Sequence, residues 1–337
     1  MNAIKHGLHG ISYSQLSRVL MDEDDDINAK IHFGISKGSK RVSLLRSRAQ
    51  EASNSRFLFF SSDYIHEKFT PISGTVFDLQ EYKFNIKNAT QSVHEMNEWL
   101  SGWVQEPIGT IFHESILCAD RLIFMYTFKF HADWITNFDP KLTKNETFYD
   151  DKGKKLIVSM MNQKSKNRIY DSPGSKFRIL FKTCQEGRYH SAVVLPNEGT
   201  SVQEVLNRLP INQIVTYYKN SAFKEAHVKM PKFKIFARTD LVETLKLFGI
   251  TYIFERNQLN FRKIMNHNVF IGNITQISNL VVDETGSTEP SPTKARVDQA
   301  KSTPYEFYVK RPFLFFVFSY AINIVYISAV VTNPNDA

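Results

Sequence analysis

The chain has only two cysteines among its 337 residues, Cys118 and Cys184. Neither has a second cysteine or a histidine nearby at the spacing of a metal site, so no metal ion or other cofactor is expected. Each thiol lies within or directly after an apolar stretch. We therefore expect core or near-core thiols, which say nothing about the redox compartment.

The first residues also lack the basic start and the apolar run of a secretory signal peptide. Sequons for N-glycosylation begin at Asn88, Asn145 and Asn273 and would mark a secreted glycoprotein if they are used. Three sequons in an asparagine-rich chain are close to what chance gives. Extracellular and cytoplasmic locations both stay open on these residues.

Basic and aromatic residues are what the chain has in excess. The net charge is +8, which suits an acidic partner such as nucleic acid, an anionic membrane or a sulfated polysaccharide, or simply an indifferent basic surface. The 27 phenylalanines and 14 tyrosines favour a strand-rich fold, because flat side chains pack well on pleated surfaces.

One long uncharged run, residues 313–331, follows two basic residues. Its length and its basic flank fit a membrane-spanning helix. Its phenylalanine, valine, isoleucine and tyrosine content fits equally well a pair of buried strands joined near Ala321–Asn323. The pattern alone leaves both interpretations open.

Periodicity predicts an amphipathic helix over residues 89–103, because Val93, Met96 and Leu100 recur at helical spacing. Other segments read as short strands or helices. The strand-like runs are 56–60, 121–130, 155–161, 178–183 and 190–196, and the helical intervals are 201–209 and 240–249.

The stretch from Asp283 to Pro304 differs in kind from its surroundings. It is polar, contains several prolines and almost no large apolar residue, and precedes the most apolar segment of the chain. An exposed loop of this length inside a compact domain is usually either functional or disordered. This loop is the first candidate for a functional segment.

Several segments, read in order, resemble the serpin family of serine protease inhibitors. They are a long strand ending at Trp134, the Phe138–Pro140 turn, Thr147–Phe148, Ser159–Met161, Val194–Glu198, Val228–Ile235, Leu245–Ile250, Val282–Gly286, Arg311–Phe316 and Val331–Pro334. Their order and spacing cover roughly residues 1 to 334.

The resemblance implies an α+β serpin fold, with large mixed β-sheets, helices packed around them and an exposed reactive-centre loop. It implies one serpin domain over residues 1–337, with the loop at 284–305 and two buried strands at 313–331 instead of a membrane span. Residues 7–20 are similar to the end of the family's second helix and to its third. We therefore expect the first helix and the first strand to be absent.

In this family the loop is bait for a serine protease, so no catalytic residues and no enzyme activity are expected. Counting back from Pro312 places the cut between Lys301 and Ser302, which is a trypsin-like bond. Counting forward from the start of the loop reaches Ala300 instead, and Arg296 is a further candidate. We favour Lys301–Ser302.

Members of the family then insert the cut loop into their central sheet. The hinge of this chain departs from the family's pattern of small, alanine-rich residues. The hinge residues are Glu284, Gly286, Ser287, Thr288, Glu289, Pro290 and Pro292. Prolines cannot donate to a strand ladder, and strand alternation points either the Glu289 carboxylate or the two prolines inward. The alternative is therefore a non-inhibitory serpin that acts as a binding or carrier protein.

Two further sets of residues follow from the resemblance. Tyr126 and Gln276 occupy the positions where the family has the asparagine and histidine that help to control sheet opening. Basic residues lie near the family's polyanion-binding helix and suit a heparin-like polyanion, or else form a solvated charged surface: Lys37, Lys40, Arg41, Arg46 and Arg48. The family suggests an extracellular protein that binds no nucleic acid.

Overall fold

The fold is taken from a computed structural model of the chain. It describes residues 1, 4–5, 7–20, 47, 54–66, 69, 74, 78–104, 110–184, 189–256, 261, 264–284 and 303–336. Statements about structure below concern these residues.

Along the chain, runs of two to five consecutive strands are separated by one or two α-helices. The α-helices are α1 Gly10–Val19, α2 Ala89–Val104, α3 Val202–Arg208, α4 Ile214–Lys219 and α5 Val242–Leu247. The strands are β1 Asn54–Ser61, β2 Leu79–Lys83, β3 Arg121–His131, β4 Lys144–Tyr149, β5 Lys155–Tyr170, β6 Phe177–Cys184, β7 Tyr189–Pro196, β8 Ala222–Pro231, β9 Phe233–Asp240, β10 Phe270–Val282, β11 Tyr305–Tyr308, β12 Phe313–Ser319 and β13 Ile324–Val331.

A five-stranded sheet has the order β2-β1-β3-β10-β9. Strand β1 pairs in parallel with β2 and antiparallel with β3, so Phe57 lies opposite both Leu79 and Tyr126. Most side chains of β3 are buried, on both faces of the sheet. That is why the segment reads as a nearly continuous apolar run and not as an alternating one.

A second, eight-stranded sheet has the order β11-β8-β5-β6-β7-β12-β13, with β4 pairing on β5. Strands β7 and β12 are adjacent and buried along their whole length, which explains their lack of alternation. At one end of the path, β11 pairs in parallel with β8. At the other end, β12 is the one described strand that pairs with β13.

The described chain forms two compact units, Met1–Phe130 with Phe236–Asn279, and His131–Ile235 with Leu280–Ala337. The first unit has apolar clusters around Leu16 of α1 and around Met96 of α2. The second has a cluster in which α3 and α4 cover β6, β7 and β12. A single domain over residues 1–337 remains a prediction.

The predicted helix at 89–103 is confirmed as α2, with Met96 and Leu100 buried. The predicted strands are also confirmed, although β5 runs to Tyr170 and not to residue 161. Its second half alternates basic or polar residues with buried ones and pairs along its length with β8. That alternation hid the strand from an interpretation based on apolar runs.

The uncharged run at 313–331 forms two strands, as the family resemblance implied. Asn323 in the turn between β12 and β13 has a φ of 53°, a left-handed conformation that asparagine tolerates. Strand β12 is fully buried, but β13 is mostly half-buried or exposed. The prediction of two buried strands is therefore wrong for the second, because β13 is an edge strand. No helix among the described residues is long and apolar enough to cross a membrane.

The three sequons differ in accessibility. Asn88 and Asn145 are exposed, whereas Asn273 is half-buried in β10 and its amide oxygen is enclosed. A glycan therefore suits the first two positions better than the third.

Candidate functional site

The polar segment predicted as the functional loop connects the end of β10 to the start of β11. The structure describes the two ends of this segment, residues 283–284 and 303–304. The other predicted loop residues lie outside the described residues: Lys301, Ser302, Ala300, Arg296, Gly286, Ser287, Thr288, Glu289, Pro290 and Pro292. The basic residues Lys37, Lys40, Arg41, Arg46 and Arg48 also lie outside them.

The first anchor is Glu284, a hinge residue whose side chain is buried, with the whole residue only 5% exposed. Its carboxylate pairs with Lys232 Nζ at 2.7 Å and accepts a hydrogen bond from Thr143 Oγ1 at 2.6 Å. The backbone N–H of Phe138 donates to the Glu284 carbonyl at 3.0 Å. Burial acts to raise the pKa of Glu284, but the bonds from Lys232 and Thr143 outweigh it and lower that pKa.

The residue before it, Asp283, is held by two side chains near the end of β3. Trp134 Nε1 donates to the Asp283 carbonyl at 2.8 Å, and His131 Nε2 lies 3.1 Å from the Asp283 carboxylate. His131 Nδ1 lies 3.5 Å from Asp133. The hydrogen bond to Asp283 is the main cause that raises the pKa of His131. Both residues at the start of the loop are therefore fixed by specific bonds.

Beneath these contacts lies Lys182 of β6, which sequence reasoning missed. The residue is 4% exposed, and its Nζ sits 4.6 Å from the centre of the Phe138 ring and 5.4 Å from that of Trp134. It donates to Gln163 Oε1 at 2.8 Å and to the Thr136 carbonyl at 3.3 Å. Burial lowers the pKa of Lys182 to about 8.

The two cysteines are free, as expected of core or near-core thiols. Cys184 is fully buried, and burial raises the pKa of its thiol to about 12, which makes it inert at neutral pH. Cys118 is partly exposed and donates to Asp120 Oδ1 at 2.8 Å.

The second anchor is β11, where the chain returns to the eight-stranded sheet. Its Tyr305 bonds Asp171, and Arg178 donates to both the Tyr305 hydroxyl and the Glu306 carbonyl. Tyr305 lies opposite Ala226 in β8. The described ends of the segment are thus held firmly while the predicted scissile bond lies between them in sequence.

Strands β3 and β10 are neighbours in the five-stranded sheet and run in the same direction. Backbone bonds at successive points along the pair indicate this: Phe270 N donates to the Asp120 carbonyl, and Ala132 N donates to the Val281 carbonyl. A chain that turned back after β10 would run antiparallel to both strands.

The two residues predicted to control sheet opening do not pair with each other. The Tyr126 ring stacks on Phe57 with centroids 4.6 Å apart, and burial raises the pKa of its hydroxyl. Gln276 Nε2 donates to Ser278 Oγ at 3.0 Å. Within the described part of the chain no hydrogen bond joins Tyr126 to Gln276, so their control of the sheet stays a prediction.

Comparison with known proteins agrees with this architecture. The family model of serpins (serine protease inhibitors) matches residues 1–334. The chain belongs to the serpin family. The α+β serpin fold expected from the sequence is confirmed by this match and by the likeness to solved serpin structures.

Among curated relatives, this serpin is 28% identical over 285 residues to the protein Z-dependent protease inhibitor of Mus musculus, covering 84% of this chain. It is 28% identical over 250 residues to the glia-derived nexin of Homo sapiens, covering 72% of this chain. In both cases it spans 63% of the relative's own length.

Two solved structures are similar to this serpin along nearly its whole length. Native protease nexin-1 with heparin gives a TM-score of 0.83 at 23% identity, over 98% of this chain and 89% of that one. The structure of mouse protein Z-dependent protease inhibitor gives a TM-score of 0.83 at 23% identity, over 99% of this chain and 87% of that one. At this identity the likeness supports the fold alone.

Proposed function

We propose that this serpin inhibits a trypsin-like serine protease by offering it the Lys301–Ser302 bond. The observation that carries the proposal is that residues 285–302 connect, along the sequence, two ends that specific bonds hold in place, Glu284 and the first residue of β11, Tyr305. A relative named as a protease inhibitor is 28% identical to the chain, which supports the same class of activity. The chain supplies the peptide bond that the protease cuts and no catalytic group.

The covalent step belongs to the protease. Its serine oxygen attacks the carbonyl carbon of Lys301, the amide bond to Ser302 breaks, and Ser302 leaves with a free amino group. Lys301 stays bound to the protease as an ester. Entry of the cut loop between β3 and β10 would carry the protease away before water can cleave that ester.

The second candidate is a serpin that binds or carries a partner without trapping a protease. Pro290 and Pro292 favour it, because a proline in a central strand leaves a neighbouring carbonyl without its donor. Each carbonyl left unpaired in a buried strand costs about 1–3 kcal/mol. A loop that enters slowly lets the ester hydrolyse and releases an active protease.

A polyanion such as heparin is proposed as a further partner, through Lys37, Lys40, Arg41, Arg46 and Arg48. The structure of native protease nexin-1 with heparin is one of the similar folds. Retention on a heparin column that falls steeply with salt would support this contact, and elution at low salt would end it. An extracellular location is part of the same proposal.

Incubation with less than one equivalent of trypsin tests the inhibitor against the carrier. A gel band at the summed mass and a released fragment that starts at Ser302 would support inhibition at the proposed bond. Lys301→Gln should abolish the band, whereas Arg296→Gln should leave it. Clean cleavage with fully active trypsin would reject inhibition in favour of the carrier.

A further inference from the structure

Strand β4 has one covered face and one face open to solvent. Phe148 is fully buried, and Glu146 pairs with Lys229 Nζ at 2.7 Å, so these two side chains of β4 point to the covered face. Side chains alternate along a strand, so Asn145 and Tyr149 point to the opposite face. Both of these residues are exposed.

The open face carries apolar side chains. In the register of the β4–β5 pair, Thr147 lies opposite Ile157 and Tyr149 lies opposite Lys155. Ile157 is 57% exposed and Tyr149 is 49% exposed. We call the surface formed by Thr147, Tyr149 and Ile157 the β4 strip.

The β4 strip lies at an edge of the sheet, because β5 is the one described strand that pairs with β4. Exposed apolar side chains on an edge strand favour pairing with other chains, and natural edges are protected by charge, by proline or by a cover. Lys155 places a charge at the Tyr149 end of the strip. The pair of Thr147 and Ile157 carries no charge, so this part of the edge needs a cover.

A sequon begins on the same face. Asn145 is two residues before Thr147, which is the acceptor pattern of N-glycosylation. The Asn145 side chain bonds to no other residue among those that the structure describes, and Ser159, which lies opposite it, is exposed. Ile157 is a diagonal neighbour of Asn145, at about 7–8 Å. A glycan on Asn145 would therefore start beside the β4 strip.

We propose that Asn145 carries an N-linked glycan that covers the β4 strip. The proposal rests on the extracellular location proposed above, because this modification belongs to secreted proteins. The donor is an oligosaccharide carried on a lipid diphosphate. Asn145 Nδ2 bonds to the anomeric carbon of the sugar and gives up one proton, while the bond from that carbon to the diphosphate breaks and the lipid diphosphate leaves.

Secretion of the full chain from animal cells, behind a cleavable signal peptide, tests the assignment. Mass spectrometry of its peptides, before and after treatment with peptide N-glycosidase, should show a glycan at Asn145 in most molecules. Thr147→Ser keeps the sequon and should keep the glycan, whereas Asn145→Gln removes both. Asn273 should stay unmodified, since its amide oxygen is enclosed in β10. A secreted protein without a glycan at Asn145 would overturn the proposal.

The covering role is measured by the rate at which the secreted protein self-associates on warming, followed by light scattering. Asn145→Gln should raise this rate severalfold, and the addition of Ile157→Lys should return it to that of the unsubstituted protein. The matched controls are Thr147→Ser and Asn88→Gln, which removes the other exposed sequon, and both should leave the rate unchanged. An equal rate with and without the glycan, or no reversal by Ile157→Lys, would overturn the covering role. If Asn145→Gln is not secreted, enzymatic removal of the glycan from the folded protein serves the same comparison.

These outcomes are separate from those of the trypsin experiment. Failure to trap trypsin would reject the proposed inhibition without changing the masses of the glycopeptides. An unmodified Asn145 in a protein that traps trypsin would reject the glycan and leave the proposed inhibition in place.

Discussion

The buried ammonium of Lys182 links the stability of the uncut protein to pH. Burial lowers the pKa of Lys182 from 10.5 to about 8, so between these values the unfolded chain binds more protons than the folded one. Stability of the uncut protein should therefore rise with pH across this window. Lys182→Met removes the charge and with it this dependence.

The magnitude follows from the difference in pKa. About 2.5 pKa units correspond to roughly 3 kcal/mol of destabilisation at pH 7, where the lysine is charged in both states. Methionine also loses the two hydrogen bonds that the neutral amine would make, worth about 1 kcal/mol each. Neither acceptor is left unpaired, because Ser165 still donates to Gln163 Oε1 and the Gln163 amide still donates to the Thr136 carbonyl.

The expected result is a variant about 1 kcal/mol more stable than the unsubstituted protein at pH 7 and less stable at pH 10, a reversal that follows from the linkage of protonation to folding. Urea unfolding of both proteins at several pH values measures the difference, in which other titrating groups cancel. Lys166→Met, which removes an exposed lysine of the neighbouring strand β5, is the matched control. If the difference in stability between Lys182→Met and the unsubstituted protein does not change with pH, the assignment of a buried ammonium with a lowered pKa is refuted.

Three other substitutions test the anchors and the hinge. Glu284→Gln should lower the free energy of unfolding at pH 7 by about 1–2 kcal/mol. The loss should be smaller in acid, because the lowered pKa of Glu284 gives stability that disappears as the carboxylate is protonated. Urea midpoints at pH 7 and pH 4 measure both losses, and equal losses would contradict the reasoning. His131→Gln should lower the free energy of unfolding by about 1 kcal/mol or less below pH 6 and by nothing at pH 9. The raised pKa of His131 means that its contacts stabilise the fold through the protonated imidazole. Thermal melts between these pH values measure the loss, and a loss that does not change with pH would contradict the reasoning. Replacing Pro290 and Pro292 together by alanine should raise the fraction of trypsin trapped per loop cut, as seen on denaturing gels, and an unchanged fraction would show that the prolines do not limit insertion.

Much of the strand architecture could be predicted because buried strands have a local signature. Strands β3, β7 and β12 read as apolar runs since both of their faces are covered, and α2 has apolar residues at helical spacing. Edge strands and half-exposed strands carry a weaker signature. The second half of β5 was therefore missed, and β13 was placed in the core although it lies at an edge.

The candidate site was predictable only in part, because its contacts join residues far apart in the chain. Glu284 could be named as a hinge residue, but its partner Lys232 lies 52 positions away and nothing local links them. Lys182 was hidden for a related reason. A lysine within an apolar strand usually extends to solvent along its aliphatic stem. Only the tertiary structure shows that Trp134 and Phe138 close over it.

The hinge sequence bears on insertion through one acidic residue and two prolines. Taken alone, Glu289 argues against insertion because it would bring a carboxylate into an apolar layer. The two prolines remain an obstacle, but they are two residues apart, so the N–H groups that they lack would all have faced the same neighbouring strand. The ladder to the other neighbour stays complete, and this confines the cost of insertion to one side of the new strand.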